Sequence, residues 1–183
     1  MFLPFGRTKP WLSSGIASAV LGGWRTSGVY TFASGRPFTV VSGSNYSNAI
    51  DPYGAATAVP NVIGSPQIIG NINCWFYASA NKNCTSIDPS GSNAFALQPL
   101  GTYGNAGRNT LRGPHTNVFD FAVIRDFRIT EKTALEGRWE VFNLANTPIF
   151  AQPSNNLSSG AVGSITSLAS DPRIMQFALR LSF

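Results

Sequence analysis

The sequence predicts an all-β protein whose antiparallel strands cross a membrane as a segment of a β-barrel. Hydrophobic and polar residues alternate with a period of two in several segments of 11 or 12 residues, about the length that a tilted strand needs to cross a bilayer. Only 11% of the 183 residues are charged, against roughly 25% in soluble domains. Part of the surface is therefore expected to face something other than water. No apolar run approaches the ~20 residues of a membrane-spanning helix.

Four segments are predicted to be strands because apolar and polar side chains alternate along each of them, with Arg125 as the one intruder on an apolar side. They cover residues 23–33, 117–128, 133–143 and 173–183. In the first of them, the aromatic residues Trp24, Tyr30 and Phe32 share one side. A soluble β-sandwich would show a similar alternation, because one side of its strands meets the core and the other meets water.

The lengths of the links separate these two alternatives. Only Ile-Thr-Glu-Lys at 129–132 joins the second strand to the third, whereas 34–116 and 144–172 are long. Outer-membrane barrels combine short periplasmic turns with long external loops, and a compact soluble domain seldom carries a structureless link beyond ~15 residues. The sequence therefore predicts a barrel in the outer membrane, with both long segments outside the cell as loops. The first loop is expected to carry at most a small hairpin.

The first long segment holds both cysteines, Cys74 and Cys84, and an aromatic cluster between them that consists of Trp75, Phe76 and Tyr77. In an oxidising compartment, two cysteines ten residues apart on one loop are expected to pair and close a small ring. Two free thiols, or half of a metal site, are the alternatives.

Motifs for catalysis are missing from the sequence. It contains no nucleophile elbow, Walker A motif, dinucleotide fingerprint or H-E-x-x-H, and no C-x-x-C spacing for a metal. The single histidine, His115, follows a Gly-Pro pair, where a role in a turn is favoured over general base catalysis. The sequence thus predicts no enzyme, no metal and no cofactor. The basic residues are scattered, which argues against nucleic acid as a partner.

Charged side chains share one side of the third predicted strand. They are Glu136, Arg138 and Glu140, and the two carboxylates are ~13 Å apart at a rise of ~3.3 Å per residue. This distance is too long for the carboxylate pair of a glycosidase. We expect an ionic ladder that faces a water-filled lumen and includes Asp120 of the neighbouring strand.

An ordered set of short motifs carries a family resemblance. The motifs are LPFGR at 3–7, LGGW at 21–24, SGRPF at 34–38, GNAGRNTLRGP at 104–114, RWEVFNLAN at 138–146 and QFALRLSF at 176–183. In this order they resemble the C-terminal barrel strands of Oar-like TonB-dependent outer-membrane receptors. Many members of that group begin with a carboxypeptidase-regulatory-like domain.

The resemblance implies uptake of a bulky nutrient across the outer membrane. Trp75, Phe76 and Tyr77 of the external loop are then expected to make the first contact with this ligand. Its implied partners are the plug and earlier strands of the same receptor, membrane lipid, and a TonB complex contacted through N-terminal regions outside this chain. The resemblance implies a barrel of 22 strands, whereas only four full strands are predicted here. Four strands cannot close a membrane barrel, because eight is the usual minimum. The chain is therefore expected to be a C-terminal fragment, with 2–5 as the tail of a preceding strand.

The last predicted strand also resembles the C-terminal signal that the barrel-assembly machinery recognises. The residues of the signal are Phe177, Leu179, Leu181 and Phe183. A lipid-facing strand with an aromatic anchor at the interface is the simpler alternative. For the chain as a whole, the rival hypothesis is a secreted β-sandwich that binds glycans or mediates adhesion through its loop aromatics.

Overall fold

A computed structural model describes residues 22–43 and 58–183, so the predicted strand tail at 2–5 lies outside the described residues. The described part is built from strands and one short helix, which confirms the all-β prediction. In chain order the elements are β1 (Trp24–Ala33), β2 (Pro37–Phe38), β3 (Asn61–Val62), β4 (Ile68–Asn71), β5 (Cys74–Phe76), α1 (Lys82–Ile87), β6 (Phe95–Ala96), β7 (Leu111–Arg112), β8 (Thr116–Arg128), β9 (Ala134–Phe142) and β10 (Ile174–Ser182). The chain divides into two compact units.

The first unit, the sheet unit, contains 22–32, Asn117–Pro148 and Asp171–Phe183. Its four long strands form one sheet in the order β1-β8-β9-β10. Each strand begins and ends within one residue of a range predicted from the period-two pattern. The long strands thus form where the side chains alternate, since alternation lets a strand present one chemistry to each side of a sheet.

The short turn after β8 sets the pairing of the central strands. Ile129 donates its backbone N–H to the carbonyl oxygen of Thr133 at 2.9 Å, and the Thr130 hydroxyl accepts from the Thr133 N–H at 3.0 Å. Arg128 consequently lies opposite Ala134, and the antiparallel pairing continues to Phe121 opposite Val141. A turn of this length allows few other registers between β8 and β9. The apolar residues of the two strands therefore lie on the same side of the sheet.

The sheet has two chemically different sides. One, the apolar side, carries mainly aromatic and aliphatic residues: Trp24, Tyr30, Phe32, Phe119, Phe121, Val123, Phe127, Leu135, Trp139, Val141, Met175, Phe177, Leu179 and Leu181. The other, the polar side, carries the amide of Gln176 and most of the charged residues: Arg25, Asp120, Asp126, Glu136, Arg138, Glu140 and Arg180. On the apolar side the rings of Trp139 and Phe177 stack with their centroids 6.2 Å apart.

The second unit, the loop unit, contains 33–43, 58–116 and Ile149–Ser170. Its existence corrects the prediction that both long segments are loops, because they fold into three two-stranded sheets around a core of their own. The buried core residues are Phe38, Val40, Phe76, Ala78, Ala94, Phe95, Ala106, Leu111, Leu157 and Val162. The core compensates for strands of only two to four residues, since a compact loop region is held mainly by packing of its own side chains.

Backbone hydrogen bonds tie the second long segment to the first within the loop unit. Val41 donates to the carbonyl of Asn155 at 2.9 Å and accepts from the N–H of Leu157 at 2.8 Å. At another point, Ile165 donates to the carbonyl of Ile72 at 2.7 Å. The two segments therefore form one folded body, although roughly a hundred residues of sequence separate these partners.

A close approach of two backbones explains the glycines in two of the motifs. A Cβ atom on Gly35 would lie 1.7 Å from the carbonyl oxygen of Gly113, so any side chain at Gly35 would force the strands apart. Gly113 also donates its N–H to the carbonyl of Arg36 at 3.0 Å. These contacts join the ends of β2 and β7, where Pro37 lies opposite Arg112.

Candidate functional site

A chain of ion pairs, the polar ladder, crosses the polar side of the sheet unit. It consists of Asp126, Arg25, Glu136, Arg138 and Glu140. Arg25 lies 2.9 Å from an oxygen of Asp126 and 3.0 Å from one of Glu136. Arg138 lies 3.2 Å from Glu136 and 3.3 Å from Glu140. The amide of Gln176 on β10 donates to the other oxygen of Glu140, so the hydrogen-bonded chain reaches all four strands.

The polar ladder alternates in sign, and all of its members remain partly exposed to solvent. Each ion pair of this kind contributes only about 0–1 kcal/mol to stability. Because acidic and basic side chains alternate, the polar ladder forms no patch of a single charge. The arrangement fits a wetted surface of the sheet and provides no nucleophile beside a general base.

The predicted membership of the ladder is correct for Glu136, Arg138 and Glu140 and wrong for Asp120. In the observed pairing Ala122, not Asp120, lies opposite Glu140. The Asp120 carboxylate instead accepts the backbone N–H of Asn143 at 2.9 Å, just beyond the last residue of β9. Asp120 therefore anchors the end of β9.

Sequence analysis did not identify Arg25 and Asp126 as members of the ladder. Both lie at polar positions of the period-two pattern, so their side of the sheet was predictable. Their partners were not, because β1 and β8 are joined by a long segment that leaves the pairing of the two strands undefined in the sequence.

The predicted assembly residues lie together on the apolar side of β10. Phe177, Leu179 and Leu181 are all exposed, and so is Phe183 directly after the strand. β10 is the last strand in the order of the described sheet, so its outer edge has no partner among the described strands. This edge is available for pairing with a further strand.

In the loop unit, a disulfide joins Cys74 and Cys84, and both residues are fully buried. Tyr77 packs in the same small cluster as this disulfide. Phe76 packs between Phe38 and Phe95, with ring centroids at 5.8 and 6.5 Å.

These positions correct the expectation that the aromatic cluster contacts a ligand. Phe76 and Tyr77 are only 1% and 7% exposed. Trp75 is half-buried, and its indole N–H donates to the carbonyl oxygen of Arg112 at 2.7 Å. The physical reason is the alternation of β5, which turns Cys74 and Phe76 into the core. The exposed large apolar residues of the loop unit include Ile63, Leu100 and Tyr103 instead.

A buried asparagine that sequence analysis missed connects three parts of the loop unit. The side-chain nitrogen of Asn81 lies 2.8 Å from the carbonyl of Asn73 and 2.9 Å from that of Val162. Its side-chain oxygen accepts the N–H of Asn83 at 3.0 Å and thereby caps α1. An asparagine before a short helical segment is the signal that could have identified it.

The described residues show no cluster of three or more His, Cys, Asp or Glu side chains that could hold a metal ion. His115 is exposed in the loop unit. Within the same described ranges, no helix has the length and apolar character needed to cross a bilayer.

Long antiparallel strands with one apolar and one polar side are typical of β-barrel membrane proteins. The chain belongs to the outer membrane beta barrel domain family, whose model matches residues 1–176. It is accordingly an outer-membrane barrel protein, and the predicted location in the outer membrane is confirmed. Comparison with curated proteins and with solved structures gives no match.

Proposed function

We propose that the chain forms the last part of the barrel of a TonB-dependent receptor of the Oar-like kind, which takes up a bulky nutrient. The observation that carries this proposal is the folded loop unit. Both long connections leave the sheet at the end opposite the short β8–β9 turn, which is the external end in outer-membrane barrels. The loop unit has its own core and an internal disulfide, so its external surface has a fixed shape. Capture of a large ligand requires such a surface.

Completion of the barrel requires further strands. The described sheet has four strands with β1 and β10 at its edges, whereas membrane barrels have at least eight, and open edges in lipid leave backbone groups unsatisfied. We therefore propose that other parts of the receptor supply the remaining strands, the plug and the contact with TonB. The polar ladder would then line the lumen beside the plug.

The proposed ligand contacts are the exposed apolar residues Ile63, Leu100 and Tyr103, since Phe76 and Tyr77 are buried. We also propose that the chain carries out no catalysis and binds no cofactor. In this proposal the chain presents a ligand-binding surface outside the cell and completes a channel. The TonB complex opens the gate of that channel from the periplasm.

Uptake can be tested by following which compounds disappear from a defined medium containing peptides and oligosaccharides. We expect the wild-type strain to remove a class of large compounds at least about tenfold faster than a strain lacking this protein. A strain lacking TonB should show the same defect, because the gate would remain closed. If removal of the compounds from the medium required this protein but not TonB, the proposal of a TonB-dependent receptor would be contradicted. The protein would then be a barrel that transports passively.

Deleting Phe183 is expected to reduce the amount of assembled barrel in the outer membrane several-fold. The reason is that the proposed docking of β10 on the assembly machinery uses its free edge and its exposed apolar side chains. Heat-modifiable mobility in gels measures the folded fraction. Ser182→Ala, which changes the opposite side of the same strand, is the matched control. Equal folded fractions for both variants would contradict the signal.

A further inference from the structure

The loop unit carries positive charge that its own carboxylates do not compensate. Its described residues hold four basic side chains and one carboxylate: Arg36, Lys82, Arg108, Arg112 and Asp88. Within the described ranges none of these five forms an ion pair, whereas Arg25 and Arg138 of the sheet unit each contact two carboxylates. The Asp88 carboxylate instead accepts the hydroxyl of Ser90 at 2.8 Å. The arginines of the two units therefore differ in their surroundings.

Three of these basic side chains, the arginine strip, lie along the small sheet of β2 and β7. They are Arg36, Arg108 and Arg112. Arg36 directly precedes β2 and Arg112 ends β7, and the Arg112 guanidinium donates to the carbonyl oxygen of Gly35 at 3.1 Å. Beside Arg108, the backbone N–H of Asn109 donates to the Thr39 hydroxyl at 2.9 Å. The strip thus follows the backbone from 36 to 39, a length of ~10 Å at ~3.3 Å per residue.

The small sheet presents the arginine strip to solvent. Phe38 and Leu111, from the same two strands, are buried in the core of the loop unit, whereas all three arginines are exposed. Like charges on neighbouring strands repel each other, and no carboxylate of the described loop unit offsets this repulsion. A bound anion would offset it, and guanidinium groups pair with carboxylates through two parallel hydrogen bonds.

We propose that the arginine strip binds an acidic oligomer, a nutrient that carries carboxylates on successive units. The arginines are spread along the strip, so one small anion would not reach all three, whereas spaced carboxylates would. Three charges are few for nucleic acid, since its binders commonly neutralise about six to ten phosphates. The inference rests on the proposed uptake of a bulky nutrient and names the charge of that nutrient.

Calorimetric titration of the protein purified from outer membranes in detergent tests the proposal at low salt. The probes are a hexamer of galacturonic acid and a hexamer of glutamate, each beside its neutral methyl-esterified form. We expect wild type to bind at least one acidic hexamer about tenfold more tightly than its ester. A preference between the two acidic hexamers identifies the source of the carboxylates as a sugar or a peptide. Binding should weaken as salt screens the exposed charges.

Variants test whether the arginine strip is the site. Arg36→Gln and Arg108→Gln should each weaken binding of the acidic hexamer about threefold, and together about tenfold, as expected for exposed ion pairs. Neither side chain makes a hydrogen bond within the described residues, so the fold should persist, and hydrogen exchange at the Trp75 amide checks it. Lys82→Gln removes one charge from the same unit outside the strip. It is the matched control and should bind as wild type.

Three outcomes would overturn the proposal. They are equal binding of the acidic hexamers and their esters, equal weakening by Lys82→Gln and Arg108→Gln, and equally tight binding of single-stranded DNA of the same charge. If a variant does not fold, the comparison of acid with ester in wild type still decides the question. Binding of acidic hexamers that cells do not take up would contradict the receptor alone. Uptake of neutral compounds without binding of either acid would contradict only the arginine strip.

Discussion

Phe76→Ala is expected to lower the free energy of unfolding of the loop unit by about 3–5 kcal/mol, the usual cost of removing a buried phenylalanine ring. Phe76 is 1% exposed and packs against Phe38 and Phe95. It is the largest of the fully buried side chains in the described part of the chain. Because Phe76 is fully buried in this core, removing its ring leaves a cavity, whose cost adds to the lost transfer free energy.

Hydrogen exchange of individual amides measures this effect. The N–H of Trp75 donates to Gly163 and that of Ile165 donates to Ile72, so both amides report opening of the loop unit. Their exchange should accelerate by roughly two to three orders of magnitude or more, since 1.4 kcal/mol corresponds to a factor of about ten. Tyr103→Ala, at a residue that is 79% exposed, is the matched control and should leave both rates nearly unchanged. Unchanged rates in Phe76→Ala would show that the core does not hold the unit together.

The long strands could be predicted from the sequence because their period-two pattern is a property of the strand itself. β8 and β9 are the strongest case, since a short turn joins them and fixes the register of their pairing. The apolar and polar sides followed from the same pattern. Membership of the polar ladder required the pairing of β1 with β8, which only the folded sheet defines, and Asp120 was consequently given the role that Asp126 has.

The loop unit could not be predicted in the same way. Its strands have two to four residues, which is too short for a period to be recognised, and its core residues come from segments far apart in the sequence. The three consecutive aromatic residues illustrate the difficulty, because composition alone does not tell which of Trp75, Phe76 and Tyr77 points inward. The length of the two links was interpreted as a sign of loop structure, whereas residues from both links pack into one core.

Replacing both cysteines by alanine is expected to destabilise the loop unit by about 3 kcal/mol. Cys74 and Cys84 are ten residues apart, and closing a ring of this size removes chain entropy from the unfolded state by roughly that amount. The ring encloses β5 and most of the first turn of α1, so its opening also frees Asn81 and Phe76 from their fixed positions. The amides of Trp75 and Ile165 should exchange about a hundredfold faster than in wild type.

Two measurements separate the loss of the disulfide from the loss of buried sulfur. Cys74→Ala alone opens the ring and keeps the Cys84 thiol, so it should cost nearly as much as the double variant if chain entropy dominates. In wild type, denaturation without reductant should expose no reactive thiol, whereas two reactive thiols would show that the ring is open in the native protein. The amides of β9 and β10 should keep their wild-type rates in every variant, because the long strands of the sheet unit form their own hydrogen-bonded pairs. If those amides exchanged faster as well, the two units would unfold together, and the disulfide would stabilise the sheet in addition to the loop unit.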